Sequence, residues 1–275
     1  MSTATDRFSL TGKTIVITGA TGILGASFCM AVTAAGAQVA VLGRNGKRAN
    51  ERVEEIVANG GEAIAVLADV LDEGALLKAK EKIISCYGKI DGLVNAAGGN
   101  LPGAVVQPSQ DIFDLNMQSM KEVMDLNLFG TLLPTQVFGE AIAANESGGS
   151  IVNISSVSAK LPLTKVLGYS MAKAAIESYT KWFAVEQAKR HGDKMRMNAL
   201  VPGFFLTEQN RSLMTNTDGS YSERGASVMQ HTPFKRFGQP DELSGALIWM
   251  LSDASKFVTG TTIVIDGGFT SFSGV

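Results

Sequence analysis

Tyr169 and Lys173, four residues apart, are the residues of this sequence best suited to proton transfer. Residues with this spacing lie on one face of a helix. A tyrosine phenol has a pKa of about 10 and is a poor base near neutral pH. A nearby ammonium group would favour the phenolate and lower that pKa. The pair is therefore predicted to donate or accept a proton during a reaction.

Ser156 precedes this pair at a point where a strand is predicted to end. Its hydroxyl could polarise a substrate carbonyl and then stabilise the alkoxide. A Tyr-x-x-x-Lys pair alone usually marks an ordinary helix surface. Together with the serine and a glycine-rich turn near the N-terminus, the pattern becomes specific.

The elements that must position these residues alternate along the chain. Candidate strands are Thr14–Thr18, Gln38–Leu42, Ala63–Ala68, Gly92–Asn95, Ser150–Ile154, Met195–Leu200 and Thr262–Ile265. Their continuous apolar character is typical of strands buried on both faces. Helical patterns cover 24–35, 47–58, 73–86, 119–144, 167–190 and 240–252. This alternation predicts an α/β fold: a single doubly wound, Rossmann-type parallel sheet of about seven strands, with helices on both faces.

Residues 1–275 are expected to form one catalytic domain that binds a dinucleotide. Two connections are longer than the fold requires, at about 98–118 and 204–239. Ligands bind such sheets at loops that follow the carboxyl ends of the strands. We therefore expect these two loops to contact the substrate.

A glycine-rich turn follows the first predicted strand. The candidate cofactor-binding residues of this segment are Thr18, Gly19, Thr21, Gly22, Ile23, Leu24 and Gly25. Glycines let the backbone approach a pyrophosphate closely, and the next helix offers unpaired N–H groups and its positive dipole end. The position between a first strand and a first helix favours a dinucleotide site over a simple tight turn.

The end of the second strand predicts which dinucleotide binds. An acidic residue there would bond the ribose 2′-hydroxyl of NAD. The strand instead ends in Gly43, Arg44 and Asn45. Because a guanidinium suits a 2′-phosphate, NADP(H) is predicted over NAD(H), although a merely solvated Arg44 is the alternative.

Composition excludes several other classes of protein. A net charge of −2 and scattered Lys and Arg residues argue against nucleic acid as a partner. The cysteines, Cys29 and Cys86, and the histidines, His191 and His231, have no metal-binding spacing. The polar N-terminus lacks a signal core, and the apolar run at 28–42 is too short to cross a membrane. A cytoplasmic protein with reduced thiols, no metal and no membrane partner is expected.

These motifs together resemble the short-chain dehydrogenase/reductase family, from Leu10 to the C-terminus. The resemblance implies a nicotinamide-dependent oxidoreductase with a catalytic tetrad matched by Asn127, Ser156, Tyr169 and Lys173. Tyr169 would exchange a proton with the substrate oxygen, and Lys173 would bind the nicotinamide ribose. Asn127 would hold a water that links the lysine to solvent.

Other matches to the family surround the cofactor. They are Asp69 and Val70 for the adenine, the turn Asn95, Ala96, Ala97 and Gly98, and Pro202, Gly203 and Thr207 for the carboxamide. The glycine turn departs from the usual T-G-x-x-x-G-x-G, because Ile23 stands at the sixth position and Gly22 at the fifth. Dinucleotide binding is still expected, but the backbone path around the pyrophosphate is open.

Several stretches are similar to a narrower group, the D-mannonate oxidoreductases (fructuronate reductases). They include Pro162–Lys165, Pro202–Arg211, His231–Pro233 and the C-terminal Asp266–Phe269. A sugar acid needs a cation and polar groups around it. The candidate substrate residues are Asn100, Ser156, Lys165, Gln209, Asn210 and Arg211. Lys165 or Arg211 is the candidate for the substrate carboxylate, with a solvated loop cation as the alternative reading.

Two other functions remain open at this point. One is a short-chain reductase of another carbonyl, such as a 3-ketoacyl thioester or an apolar ketone, because a fold does not determine a substrate. The other is a dinucleotide-binding regulator without activity, which the complete tetrad disfavours. The family resemblance also implies a homotetramer or homodimer. The long helical segments 119–144 and 167–190 and the apolar C-terminal strand are the candidate interfaces.

Overall fold

The computed structural model describes residues 5–107, 109–207, 211 and 213–274. Within them, seven strands form one sheet in the order β3-β2-β1-β4-β5-β6-β7, and every neighbouring pair is parallel. The strands are β1 Thr14–Thr18, β2 Gln38–Gly43, β3 Glu62–Leu67, β4 Gly92–Asn95, β5 Gly149–Ile154, β6 Met195–Pro202 and β7 Thr262–Ile265. The predicted doubly wound sheet is confirmed.

Eight α-helices of the described residues surround the sheet. They are α1 Ile23–Ala34, α2 Gly46–Ala58, α3 Glu73–Tyr87, α4 Met117–Met124, α5 Gly130–Ala144, α6 Leu167–His191, α7 Glu223–His231 and α8 Ser244–Leu251. Side chains cap several N-termini: Asn45 accepts a hydrogen bond from the Arg48 N–H, and Asp72 accepts one from the Ala75 N–H, each at 3.0 Å. Such caps satisfy N–H groups that a first helical turn leaves unpaired.

Two apolar cores cover the two faces of the sheet. On one face Ile15 and Ile17 pack with Phe28 of α1 and Leu247 of α8. On the other face Val16 packs in a cluster with Leu76, Ile83, Phe138 and Ile142 of α3 and α5. Because successive side chains of β1 enter opposite cores, the strand is apolar throughout, as the sequence indicated.

Two features differ from the sequence prediction. The helix expected at 119–144 is interrupted by a π-helical turn, Asp125–Phe129, between α4 and α5. There the Asn127 side chain donates to the Val123 carbonyl at 2.8 Å, and a side chain that bonds a helical carbonyl in this way disturbs the regular ladder. The connection expected at 204–239 also contains a helix, α7, which begins after the capping residue Ser222.

The described residues include no helix long and apolar enough to cross a membrane. Both cysteines lie in helices and are free thiols, with Cys29 buried and Cys86 exposed.

Candidate active site

The parallel strands bring the predicted site residues to one edge of the sheet. Thr18, Asn95, Ile154 and Pro202 are the last residues of β1, β4, β5 and β6. Since these four strands are neighbours, the loops that follow them lie side by side. This edge is where doubly wound sheets bind their ligands.

The glycine turn after β1 is packed backbone against backbone. Gly19 has a φ of +65°, and a Cβ there would lie 2.7 Å from the Ala96 carbonyl oxygen. A Cβ at Gly25 would lie 2.3 Å from the Gly19 carbonyl oxygen. Both positions therefore need glycine, the first for its conformation and its contact, the second because α1 crosses the turn so closely.

Gly22, the unusually placed glycine, has a different role. It is exposed, has an ordinary φ of −85°, and forms the N-cap of α1. Its N–H closes the turn by donating to the Gly19 carbonyl at 3.0 Å. The altered spacing thus leaves the close approach of Gly19 and Gly25 intact. The exposed Gly22 leaves the N-terminus of α1 accessible, and the unpaired N–H groups and positive dipole end of a helix suit a pyrophosphate.

Thr18 ties this turn to the one after β4. Its hydroxyl accepts hydrogen bonds from the N–H groups of Ala96 and Ala97, both at 3.1 Å. The neighbouring Asn95 side chain is buried and donates to Thr135 and Asn153 at 2.9 Å. The side chains of Thr18 and Asn95 therefore hold the two turns in place.

The end of β2 presents a cation, as the sequence predicted. Arg44 Nη1 lies 3.4 Å from Asp69 Oδ2, and the Arg44 side chain is 72% exposed. Exposed pairs of this kind contribute little to stability, so the guanidinium is accessible to an anion. The side chain of Thr21 packs over Gly43, where a Cβ would lie 2.9 Å from Thr21 Cγ2. Val70, beside Asp69, is buried and packs against Gly130.

The turns after β4 and β6 each contain a glycine whose missing side chain leaves room for a neighbouring residue. A Cβ at Gly98 would lie 2.6 Å from Asn127 Oδ1 and 3.3 Å from Lys173 Nζ, so only glycine leaves room for both side chains. A Cβ at Gly203, after Pro202, would lie 2.6 Å from the Asp266 Cβ. Thr207 is half-buried, and its carbonyl accepts from the Arg211 N–H at 2.9 Å.

The four residues of the predicted tetrad meet beside Gly98. Lys173 Nζ lies 5.4 Å from the centre of the Tyr169 ring and donates to the Ile154 carbonyl at 2.8 Å. Asn127 is fully buried and clamps Gly99 by donating to its carbonyl at 2.7 Å and accepting from its N–H at 3.1 Å. The Ser156 hydroxyl lies near the Tyr169 phenol and lowers the pKa of that group.

The electrostatics of the pair differ from the prediction. Burial raises the pKa of Tyr169, and the nearby Ser156 hydroxyl opposes that rise only in part. Lys173 was expected to lower the pKa of the phenol, but burial also lowers the pKa of Lys173, to about 8. Both shifts have one cause: a low-dielectric surrounding disfavours each charged form. In the protein alone the phenol is therefore a proton donor rather than a phenolate.

The predicted substrate residues are only partly described. Asn100 is half-buried, and its Oδ1 is buried without a hydrogen-bond partner. Lys165 is half-buried with a φ of +75°, and its carbonyl accepts from the Val106 N–H at 3.0 Å. Arg211 is exposed. Gln209 and Asn210 lie outside the described residues.

Comparison with known proteins identifies the family. Residues 19–270 match the family model described as enoyl-(acyl carrier protein) reductase. The chain belongs to the short-chain dehydrogenase/reductase family.

This short-chain dehydrogenase is similar along nearly its whole length to the following three proteins. An uncharacterized oxidoreductase, UxuB, of Bacillus subtilis is 42% identical, with 97% of this chain and 98% of the relative covered. A Haemophilus influenzae protein provisionally assigned as a D-mannonate oxidoreductase, crystallised with NAD, is 37% identical over 97% of this chain and 98% of its own, with a TM-score of 0.90. A gluconate 5-dehydrogenase of Burkholderia cenocepacia, in complex with NADP and tartrate, is 32% identical over 98% and 99%, with a TM-score of 0.85.

The protein is thus an NAD(P)-dependent oxidoreductase that acts on alcohol or ketone groups. Within the described ranges no three His, Cys, Asp or Glu residues form a group that could hold a metal ion.

Sequence reasoning missed one buried acid beneath the tetrad of this short-chain dehydrogenase. Glu177 Oε1 accepts from the hydroxyl of Ser155, and its Oε2 accepts from Lys160 Nζ, both at 3.0 Å. Glu177 thereby joins α6 to the residue that precedes Ser156. Its position, four residues after Lys173 and eight after Tyr169, was an available signal, because all three share one helix face.

Proposed function

We propose that this short-chain dehydrogenase interconverts D-fructuronate and D-mannonate, or a similar keto sugar acid and its alcohol. The observation that carries the proposal is the polar character of the substrate side of the cleft. Asn100 Oδ1 lacks a partner, and the half-buried Lys165 lies between Ser156 and Tyr169 in the chain. The similarity to a protein provisionally assigned as a D-mannonate oxidoreductase supports the same substrate.

The tetrad residues would act on the substrate oxygen. During reduction the phenol of Tyr169, protonated because burial raises its pKa, gives its proton to the developing alkoxide. Ser156 donates a hydrogen bond to the same oxygen and stabilises its charge. In the oxidation direction Tyr169 takes the proton back. The bound dinucleotide supplies or accepts the hydride.

Lys173 and Asn127 would prepare this proton transfer. The ammonium of Lys173 is anchored on the Ile154 carbonyl and lies close enough to the Tyr169 ring to stabilise negative charge there. Asn127 fixes Gly98 and Gly99 beside it. Holding these groups in advance removes the reorganisation that water would require.

NADP(H) is the proposed cofactor, with NAD(H) the alternative, since relatives of known structure bind one or the other. Arg44 carries the preference, because its exposed guanidinium can bond a 2′-phosphate and Gly43 offers no carboxylate to repel one. Arg44→Ala should lower kcat/KM for NADPH at least about tenfold and leave NADH unaffected, since bonds to charged groups contribute about 1.5–3 kcal/mol. An unchanged NADPH/NADH ratio would contradict the assignment.

The proposed assembly is a homotetramer or homodimer that works in cytoplasmic carbohydrate metabolism. Helices α5 and α6 are candidates for the interface, because exposed apolar side chains occur on α6 and just before α5. Examples are Phe129, Met171, Trp182 and Val185, each with about half or more of its surface exposed. Such surface is uncommon on a monomer unless it is an interaction site.

Oxidation of NADPH and of NADH by D-fructuronate, followed by absorbance, tests the function directly. Tyr169→Phe should lower kcat by about 10²–10⁴, the usual contribution of a general acid. Tyr87→Phe is the matched control, because that hydroxyl lies far away in the sequence on α3 and makes no hydrogen bond. A wild type that oxidises neither cofactor would exclude D-fructuronate, and an active Tyr169→Phe would exclude the assigned proton donor.

A second candidate is reduction of a 3-ketoacyl thioester, which the similarity to a 3-oxoacyl-(acyl-carrier-protein) reductase of Synechocystis, 31% identical over 96% of this chain and 99% of its own, favours. A 3-ketoacyl thioester is long and apolar, which the exposed Ile112 and Phe113 of the 98–118 loop would suit, whereas Asn100 and Lys165 suit a polar substrate. Turnover of acetoacetyl thioester with higher kcat/KM than D-fructuronate would favour this alternative.

A further inference from the structure

Arg224, on a helix that the sequence pattern did not predict, reaches the loop between the catalytic serine and tyrosine. It lies in the first turn of α7, which Ser222 caps by accepting from the Gly225 N–H at 3.1 Å. Arg224 Nη1 lies 3.4 Å from Thr164 Oγ1, and Nη2 lies 3.4 Å from the Thr164 carbonyl oxygen. Thr164 is in the segment that connects Ser156 to Tyr169.

The positive charge of the Arg224 guanidinium has few groups around it that stabilise it. It is half-buried, and burial lowers its pKa, so its charged form is disfavoured. Its two contacts are at the long limit of a hydrogen bond. Among the described residues it forms no ion pair, whereas Arg236 makes two bonds to Glu242 at 2.7 and 2.5 Å. A half-buried cation without an acidic partner is a candidate for anion binding.

A second cation adjoins it. Lys165 directly follows Thr164, and within the described part of the chain it too forms no ion pair. Its φ of +75° is costly for a residue with a side chain, by about 1 kcal/mol or more. The bond from Val106 N–H to the Lys165 carbonyl, at 3.0 Å, joins this backbone to the loop after β4. Arg224 thus contacts Thr164 from α7, and Lys165 is the next residue of the same loop.

We propose that Arg224 binds the carboxylate of the substrate, with Lys165 as a second, weaker contact. A guanidinium presents two parallel N–H groups that match a carboxylate, and neutralising it would offset the burial of its charge. The carbonyl would then be held at Ser156 and Tyr169, and the acid group at the other end of the same loop. The assignment rests on the proposed function, in that the substrate is taken to be an acid. It adds the residue that distinguishes an acid from a neutral sugar.

The test compares an acid with its neutral analogue. Isothermal titration calorimetry measures Kd for D-mannonate and for D-mannonamide, each added to the protein saturated with NADPH, with which neither can exchange hydride. The wild type should bind D-mannonate the more tightly. Arg224→Met should raise the Kd of D-mannonate about 10- to 100-fold and leave the Kd of D-mannonamide unchanged. The preference for the acid over the amide would then be lost.

Two further variants sharpen the result. Arg224→Lys should recover part of the discrimination, because it restores the charge without the planar fork. Arg190→Met is the matched control, since Arg190 pairs with Glu186 at the far end of α6 and should not affect either Kd. A purely structural link between α7 and Thr164 would instead weaken both ligands equally and lower Tm, which would overturn the proposal. So would a wild type that does not bind D-mannonate or does not prefer it.

The results distinguish an error in the carboxylate site from an error in the proposed reaction. If the wild type does not reduce D-fructuronate but binds D-mannonate in an Arg224-dependent way, the reaction is wrong and the carboxylate site stands. If it reduces D-fructuronate and KM does not change in Arg224→Met, the reaction stands and the carboxylate site is wrong.

Discussion

The predicted cofactor end, around Gly19 and Gly25, and the predicted substrate end, around Asn100 and Arg224, are built in opposite ways. At the cofactor end the fit is steric: Gly19 and Gly25 are places where backbone meets backbone, with no room for a methyl group. At the substrate end polar groups remain incompletely bonded. Asn100 Oδ1 is buried without a partner, and the contacts of Arg224 are long, although Asn95 Oδ1 at the end of β4 also lacks a partner.

This difference separates what the family shares from what this chain recognises. A dinucleotide needs a fixed shape around its pyrophosphate, which small residues provide. A substrate needs bonding groups, and buried polar atoms left without partners are unusual in a folded protein unless a ligand or water satisfies them. The substrate end is also made of loops, which vary more readily than the elements that they connect.

The largest expected effect comes from breaking the steric fit at the cofactor end. Gly25→Ala places a methyl group against the Gly19 carbonyl, so α1 must move away from the turn. Overpacking of this kind costs about 1–3 kcal/mol, and displacement of the helix N-terminus should weaken NADPH binding at least about tenfold. Titration of NADPH fluorescence and urea unfolding measure the two effects.

Gly22→Ala provides the matched control for that variant. Its nearest neighbour would be the Gly19 carbonyl oxygen at 3.4 Å, an ordinary contact, and its φ suits alanine. NADPH binding should be nearly unchanged. Equal losses in both variants would contradict the view that the cofactor end depends on close packing at Gly25 in particular.

A smaller effect is expected from the support beneath the substrate end. Glu177→Gln removes the charge that pairs with Lys160 while an amide can still bond Ser155. The free energy of unfolding should fall by about 1–2 kcal/mol, less than for a fully buried pair because Lys160 is partly exposed. Urea unfolding measures it, and Glu186→Gln, a surface ion pair on the same helix, should change stability less. A larger loss in the control would mean that Glu177 does not support the site.

The effect of Lys173 on the free energy of unfolding should depend on pH. Because its folded pKa of about 8 lies below the unfolded value of 10.5, the unfolded state binds more protons between these values. The destabilisation by Lys173 is complete below pH 8 and is relieved as pH rises toward 10.5. The stability of Lys173→Met relative to the wild type should therefore decline over that range. A difference independent of pH, measured by urea unfolding from pH 7 to 10, would show that the lysine is not desolvated.

The smallest effect concerns the backbone of the substrate end. Lys165→Gly removes the strain of the positive φ, whereas Lys165→Ala removes the same side chain and keeps the strain. The glycine variant should be more stable than the alanine variant by about 0.5–1 kcal/mol. Thermal unfolding of the two variants measures the difference. Equal Tm values would mean that this loop has no strain to relieve.

Local pattern was enough to predict the sheet and the residues at its edge. Strand β1 was predicted with its exact limits, because continuous apolar runs flanked by glycine leave few alternatives. The residues of the predicted tetrad could be expected to lie together, because Tyr169 and Lys173 are one helical turn apart and strand ends meet at one edge. The π-helical turn at Asp125–Phe129 could not be predicted, since it depends on where the Asn127 amide finds partners in Gly99 and Val123.

The sequence by itself determined the family, the seven strands with most of the helices between them, and the residue types available for proton transfer and dinucleotide binding. Tertiary structure decided the rest. Burial, which depends on every surrounding element, raises the pKa of Tyr169 where the lysine alone would have lowered it. Contact between Arg224 and Thr164 joins residues sixty positions apart. Such properties are long-range, and local periodicity carries no information about them.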